Sequence, residues 1–148
     1  MNPSQVRTRI LDGHRVLRDQ LAKLEGEIEA LARHEAEVES VTEAARWLLA
    51  ELTAHTQLED DVLAPALREL DAWGAVRANM LLEHHEQQRE DLRRLLSIYD
   101  QPQDPQLVAE ITLALIADIR ADMHHEETGL LSAALLRDDP ISVDMEVG

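Results

Sequence analysis

A chain of 148 residues with 45% hydrophobic content is the size of one domain and can bury one core. Thirty acidic residues against 14 basic ones give a formal charge of −16, which repels nucleic-acid phosphates and anionic lipid and suits cations. The absence of Cys excludes disulfides, thiolate zinc sites, Cys-ligated iron–sulfur clusters and cysteine nucleophiles. No apolar run is long enough to cross a bilayer, and Met1 to Leu11 has no signal-peptide core, so a cytoplasmic protein is expected, either a monomer or a homodimer.

Ala, Leu, Glu and Arg dominate, and Gly and Pro are scarce at five each, which is the composition of long helices. The first helix is predicted from about Pro3, a good N1 residue after Asn2, to about His34. Ser40-Val-Thr-Glu43 has the pattern of a capping box and is expected to start the second helix, which ends near Pro65 to Leu70. A third helix begins between Asp71 and Ala75 and runs to about Tyr99. Gln101-Pro-Gln-Asp104-Pro105 is a linker, with Asp104 as N-cap and Pro105 as N1 of a fourth helix that reaches about Leu136. Asp138-Asp-Pro140 stops it. Residues 1–136 are thus expected to form one all-α domain, an up-down-up-down four-helix bundle with a metal site in its core, followed by an acidic tail over 137–148.

Each helix carries a seam built from steps of three and four. The seams read Ile10, His14, Leu17, Leu21, Leu24, Ile28, Leu31; then Val41, Ala45, Leu48, Leu52, His55, Glu59, Val62. The third reads Ala78, Leu81, His85, Gln88, Leu92, Leu96, Tyr99, and the fourth Val108, Ile111, Leu115, Ile119, Asp122, Glu126, Gly129. The halves also resemble each other. His14 to Leu21 parallels His85 to Leu92, and His55 to Pro65 parallels Asp122 to Ser132, as in a doubled helix pair.

Polar residues interrupt all four seams at one level: His14, His55 with Glu59, His85, and Asp122 with Glu126. A buried carboxylate or imidazole without a partner costs several kcal/mol, so a whole layer of them needs a common partner. A bound cation is the simplest one. Residues i and i+4 share a helix face, so His55 and Glu59 can act together, and Glu59 and Glu126 are placed to bridge two metals. Imidazole and carboxylate without thiolate suit iron or manganese, and also admit zinc. A lone core His more often hydrogen-bonds a carbonyl, and an i,i+4 His/Glu pair is common on surfaces. Agreement of four seams at one level is what favours metal.

Two positions stay open. With His85 inward, its neighbours are Ala78, Leu81, Leu82, Leu92 and Leu96, with Gln88 the one polar exception; with His84 inward, Arg77, Gln87, Gln88 and Asp91 would turn into the core, so His85 is the expected ligand. On the fourth helix, His125 stands beside Asp122 and Glu126, and either Asp122 or His125 can supply the remaining ligand.

These residues resemble the hemerythrin-like HHE cation-binding family over about Val6 to Leu136. The matching residues are His14, His55 to Glu59 running on through Asp60 to Pro65, Glu83-His84-His85, and Glu126-Glu127. The family pattern has a His where this chain has Asp122, and the place four after His85 holds Arg89. The resemblance implies a non-haem pair of iron ions, oxo- or hydroxo-bridged, held by His14, His55, Glu59, His85, Asp122, His125 and Glu126. It implies a protein that binds or senses dioxygen or a related diatomic or peroxidic ligand. Its alternatives are an enzyme acting on peroxide or nitric oxide, and an iron-storage bundle.

Overall fold

The computed structural model describes residues 1–102 and 104–139. Among these residues there are only helices and turns. The four long helices are α1 (Pro3–Ala32), α2 (Val38–Leu58), α4 (Gly74–Tyr99) and α5 (Pro105–Thr128). A π-helical turn (Glu59–Leu63) and a short helix α3 (Ala64–Arg68) continue α2. None of the described helices is long and apolar enough to cross a membrane.

Cross-links fix the bundle topology. His14 pairs with Glu126 and Glu25 with Arg120, so α1 and α5 run antiparallel. Arg46 reaches the Tyr99 carbonyl while Thr56 bonds Gln88, so α2 and α4 are also antiparallel. The chain reverses direction between the end of α1 at Ala32 and the start of α2 at Val38, and again between the end of α4 at Tyr99 and the start of α5 at Pro105. The helices therefore alternate up and down, as the sequence predicts.

The ends of the helices follow local chemistry. Asn2 caps α1: its side chain accepts from Gln5 N at 3.0 Å, and Gln5 Oε1 accepts from Asn2 N at 3.0 Å, with Pro3 at N1. The other end closes in a Schellman turn, with Glu35 N donating to Ala30 O and His34 in the left-handed region at φ 59°. The capping box expected at Ser40 to Glu43 is not used. Helix α2 starts earlier, at Val38 with Glu37 at the N-cap, because Val38 packs on the core beside Val41.

The π turn is explained by Pro65. In an α-helix its ring would clash with the carbonyl four residues back, and its missing N–H would leave that carbonyl unpaired. Widening the preceding turn relieves the clash, and Ala64 N donates instead to Glu59 O, five residues back. One extra residue enters the turn, so the buried position after Glu59 is Leu63 and not the expected Val62.

The fourth helix departs from expectation twice. It ends at Thr128, not near Leu136: Leu131 N donates to Glu126 O at 2.8 Å, and turns carry the chain on. A helix would set Leu131 and Leu136 about 140° apart around its axis. The turns let both be buried against Val6 and Ile10. The buried stripe is also rotated. Thr112, Ile116 and Met123 are buried with Val108, Leu115 and Ile119, while Asp122 is only half-buried and Gly129 is exposed. The expected acidic tail lies largely outside the described residues, but Asp138 accepts from Ser4 N at 2.9 Å and Ser4 Oγ at 2.6 Å.

Candidate metal centre

The buried residues fall into two apolar clusters. One includes Leu17, Leu52, Leu92, Ile119 and Met123; the other includes Val6, Ile10, Leu63, Leu81 and Leu131. The layer between them is polar, and it holds His14, Glu59 and His85, all nearly inaccessible to solvent.

Glu59 is its centre. Oε1 lies 2.6 Å from His55 Nε2 and 3.8 Å from His14 Nε2, and Oε2 lies 3.2 Å from His85 Nε2. His14 Nε2 is 3.1 Å from Glu126 Oε1. His14, His55, Glu59 and Glu126 each offer an atom within 4.8 Å of the others, the spacing of ligands around one ion. Despite the close approaches, His55 Nε2 and Glu59 Oε2 are buried without a hydrogen bond. A native core rarely leaves such atoms orphaned, and a cation between them would satisfy both. A cavity of about 30 Å³ lies among these side chains, room for an ion or a water. The donor set is imidazole and carboxylate, so the residues present fit iron, manganese or zinc.

Helix α1 makes room for this packing through Gly13. A Cβ there would lie 2.6 Å from His55 Nδ1 and 2.8 Å from His55 Cε1, so only glycine lets the His55 ring lie against the helix.

Two outer carboxylates escape the sequence reading. Glu127 Oε2 accepts from His14 Nδ1 at 2.7 Å, while its other oxygen binds Arg18 Nη2 at 2.7 Å. Asp60 Oδ1 accepts from His85 Nδ1 at 2.5 Å, and its other oxygen binds Arg89. A signal exists in the doubled motif: an acid follows each inner Glu, and an Arg stands four after each His.

Of the seven sequence-predicted residues, His14, His55, Glu59, His85 and Glu126 come together in the layer. Asp122 lies at its edge, lining the small cavity with a side chain 41% exposed and 3.5 Å from His84. His125 is exposed and does not line that cavity. Both line an outer groove of about 650 Å³, with Met80, His84, Glu126 and Leu130, that opens beside the layer.

The charges in the layer are strongly coupled. Burial alone lowers His14, but the carboxylates of Glu126, Glu59 and Glu127 outweigh it and raise its pKa to about 10. Burial opposes protonation of His85 too, and Glu59 and Asp60 again raise it. Burial and the neighbouring Glu59 charge raise Glu126 to about 8, against the pull of His14. Burial would raise Glu59 as well, yet three imidazoles hold it well below the usual carboxylate range. Arg18 holds Glu127 low.

The family model described as the hemerythrin HHE cation binding domain matches residues 6–134. No curated protein and no solved structure matches the chain.

Proposed function

The chain belongs to the hemerythrin HHE cation-binding family, and on that premise we propose that its polar layer holds two iron ions at which dioxygen or a related small ligand is bound or sensed. The observation that carries this reading is the pair of inner carboxylates, Glu59 and Glu126, set among His14, His55 and His85, with His55 Nε2 and Glu59 Oε2 buried without a hydrogen bond. Glu59 presents its two oxygens to different imidazoles, an arrangement suited to a carboxylate shared between two ions.

His14, His55, His85, Glu59 and Glu126 would hold the ions. Asp122 would complete the open side, since it lines both the small cavity and the outer groove, whereas His125 lines only the groove. Iron bound here supplies a redox couple and an exchangeable coordination position for a small diatomic or peroxidic ligand. Leu17, Leu52, Ile119 and Met123 wall the cavity with apolar groups and limit the entry of water. The groove beside Asp122 and Glu126 gives the layer a route to solvent, which favours an exchangeable ligand over sealed storage.

Protein grown with iron is expected to carry about two irons per chain and to change its visible spectrum when the reduced form meets oxygen or peroxide. A well-folded preparation that cannot be loaded beyond one ion of any metal overturns the reading. Sustained turnover of peroxide or nitric oxide with an external electron donor would make the protein an enzyme instead.

A further inference from the structure

The two outer carboxylates are related by more than proximity. Each directly follows an inner glutamate: Asp60 follows Glu59, and Glu127 follows Glu126. Each takes the Nδ1–H of one buried imidazole on one oxygen and an arginine on the other. In both cases the arginine is four residues after the histidine that is held, Arg18 after His14 and Arg89 after His85. Each ring then directs its other nitrogen at an inner carboxylate, His14 Nε2 at 3.1 Å from Glu126 and His85 Nε2 at 3.2 Å from Glu59.

An exposed Arg–carboxylate pair by itself contributes little. These carboxylates differ, because they are mostly withdrawn from solvent, at 14% for Asp60 and 22% for Glu127, and both oxygens of each are occupied. A carboxylate only accepts, so an imidazole bound to it must carry a proton on Nδ1, which leaves Nε2 as the nitrogen whose proton a metal displaces and whose lone pair it takes. That is the tautomer a metal in the layer requires. The arginine removes the carboxylate's freedom to rotate and offsets its charge beside an already anionic layer.

We propose that Asp60 with Arg89 and Glu127 with Arg18 are two matched positioning clamps, one for each half of the bundle, that fix the Nδ1–H tautomer of His85 and His14 and thereby set the metal affinity of the layer. The proposal rests on the two-metal reading above. Asp in one half and Glu in the other perform the same task, so each is the natural rescue for its counterpart.

The test uses cobalt(II), whose hyperfine field shifts the N–H protons of bound imidazoles clear of the protein envelope in NMR spectra. The wild type is expected to bind two cobalt ions and to show slowly exchanging shifted N–H signals from His14 and His85. Asp60→Asn should speed exchange of one signal and Glu127→Gln the other, each with about a 10- to 100-fold loss of cobalt affinity. Asp60→Glu and Glu127→Asp should restore affinity to within about threefold of wild type, and the slow signals with it. A residue that merely stabilised the fold would lower the melting temperature without selecting one N–H signal. If Asp60→Asn does not fold, Arg89→Gln leaves the carboxylate in place but frees its second oxygen, and should speed exchange of the same signal. A wild type with two cobalt ions, together with unchanged exchange and affinity in the Asn and Gln variants, overturns the clamps alone. A wild type that binds no cobalt overturns the clamps and the two-metal reading together.

Discussion

Gly13 lies inside α1 one residue before His14, where glycine ordinarily costs about 0.5–1 kcal/mol relative to alanine. Its replacement should therefore help the helix, yet a Cβ would meet the His55 ring at 2.6 Å. Gly13→Ala is expected to displace His55 and reduce metal loading, whatever it does to metal-free stability. Metal titration beside a thermal melt checks this, and full loading in a stabilised variant would show that the ring has room to move. The adjacent histidines of α4 give a sharper contrast. His85 is buried against Glu59 and Asp60, and His85→Ala would take one cationic partner from each of these withdrawn carboxylates, a loss of about 3 kcal/mol and of metal with it. His84 is more than half exposed, so His84→Ala should change stability by no more than about 0.5 kcal/mol and leave loading near wild type. Chemical denaturation and metal analysis of both variants test the pair; loss of metal from His84→Ala alone would reverse the assignment.

Helix by helix, the sequence is legible where one strong period governs burial. Every predicted residue of the α1 seam is buried, His14 included, because apolar residues there return every three or four positions without competition. On α5 two apolar stripes compete, Ile111 with Leu115 and Ile119, and Thr112 with Ile116 and Met123, and period alone cannot rank them. Tertiary packing buries Thr112, Ile116 and Met123 together with Leu115 and Ile119, and leaves Ile111 only partly buried and Asp122 at the edge of the layer. The π turn is equally hidden, since only Pro65 marks it, and a proline predicts a disturbance without saying which. Asp60 and Glu127 look like ordinary surface acids among 30 in the chain, and only the three-dimensional return of His85 and His14 gives them a role. The Schellman turn after α1 carries a prediction of its own. His34 occupies a left-handed position at φ 59° that glycine fills without strain. His34→Gly is expected to stabilise the fold by about 1 kcal/mol, read as a higher denaturant midpoint at unchanged slope. A lower midpoint would mean that the imidazole makes a contact worth more than the strain.

Across the whole molecule, two apolar clusters are held apart by one layer of coupled acids and imidazoles, so the bundle's stability depends on what neutralises that layer. Without metal, protons must do so. The pKa of His14 is raised from 6.5 to about 10 and that of Glu126 from 4.5 to about 8, so both bind more protons folded than unfolded. Their contribution is complete at pH values below the unfolded pKa, and it is lost as pH rises through 8 for Glu126 and 10 for His14. Glu59 and Glu127 are held below 4.5, and their contribution is lost instead as pH falls under that value. Metal-free protein should therefore melt highest at mildly acid pH and progressively lower from pH 6.5 towards 9. A bound cation takes the place of the protons on His14 and Glu126, so the gain in melting temperature on adding zinc should grow over the same interval. Thermal melts at constant ionic strength, with chelator or with excess zinc, measure both trends. A metal-free melting temperature that holds level or rises from pH 6.5 to 9 would mean that the layer does not keep its protons on folding. The competition between proton and metal for its lone pairs would then be absent.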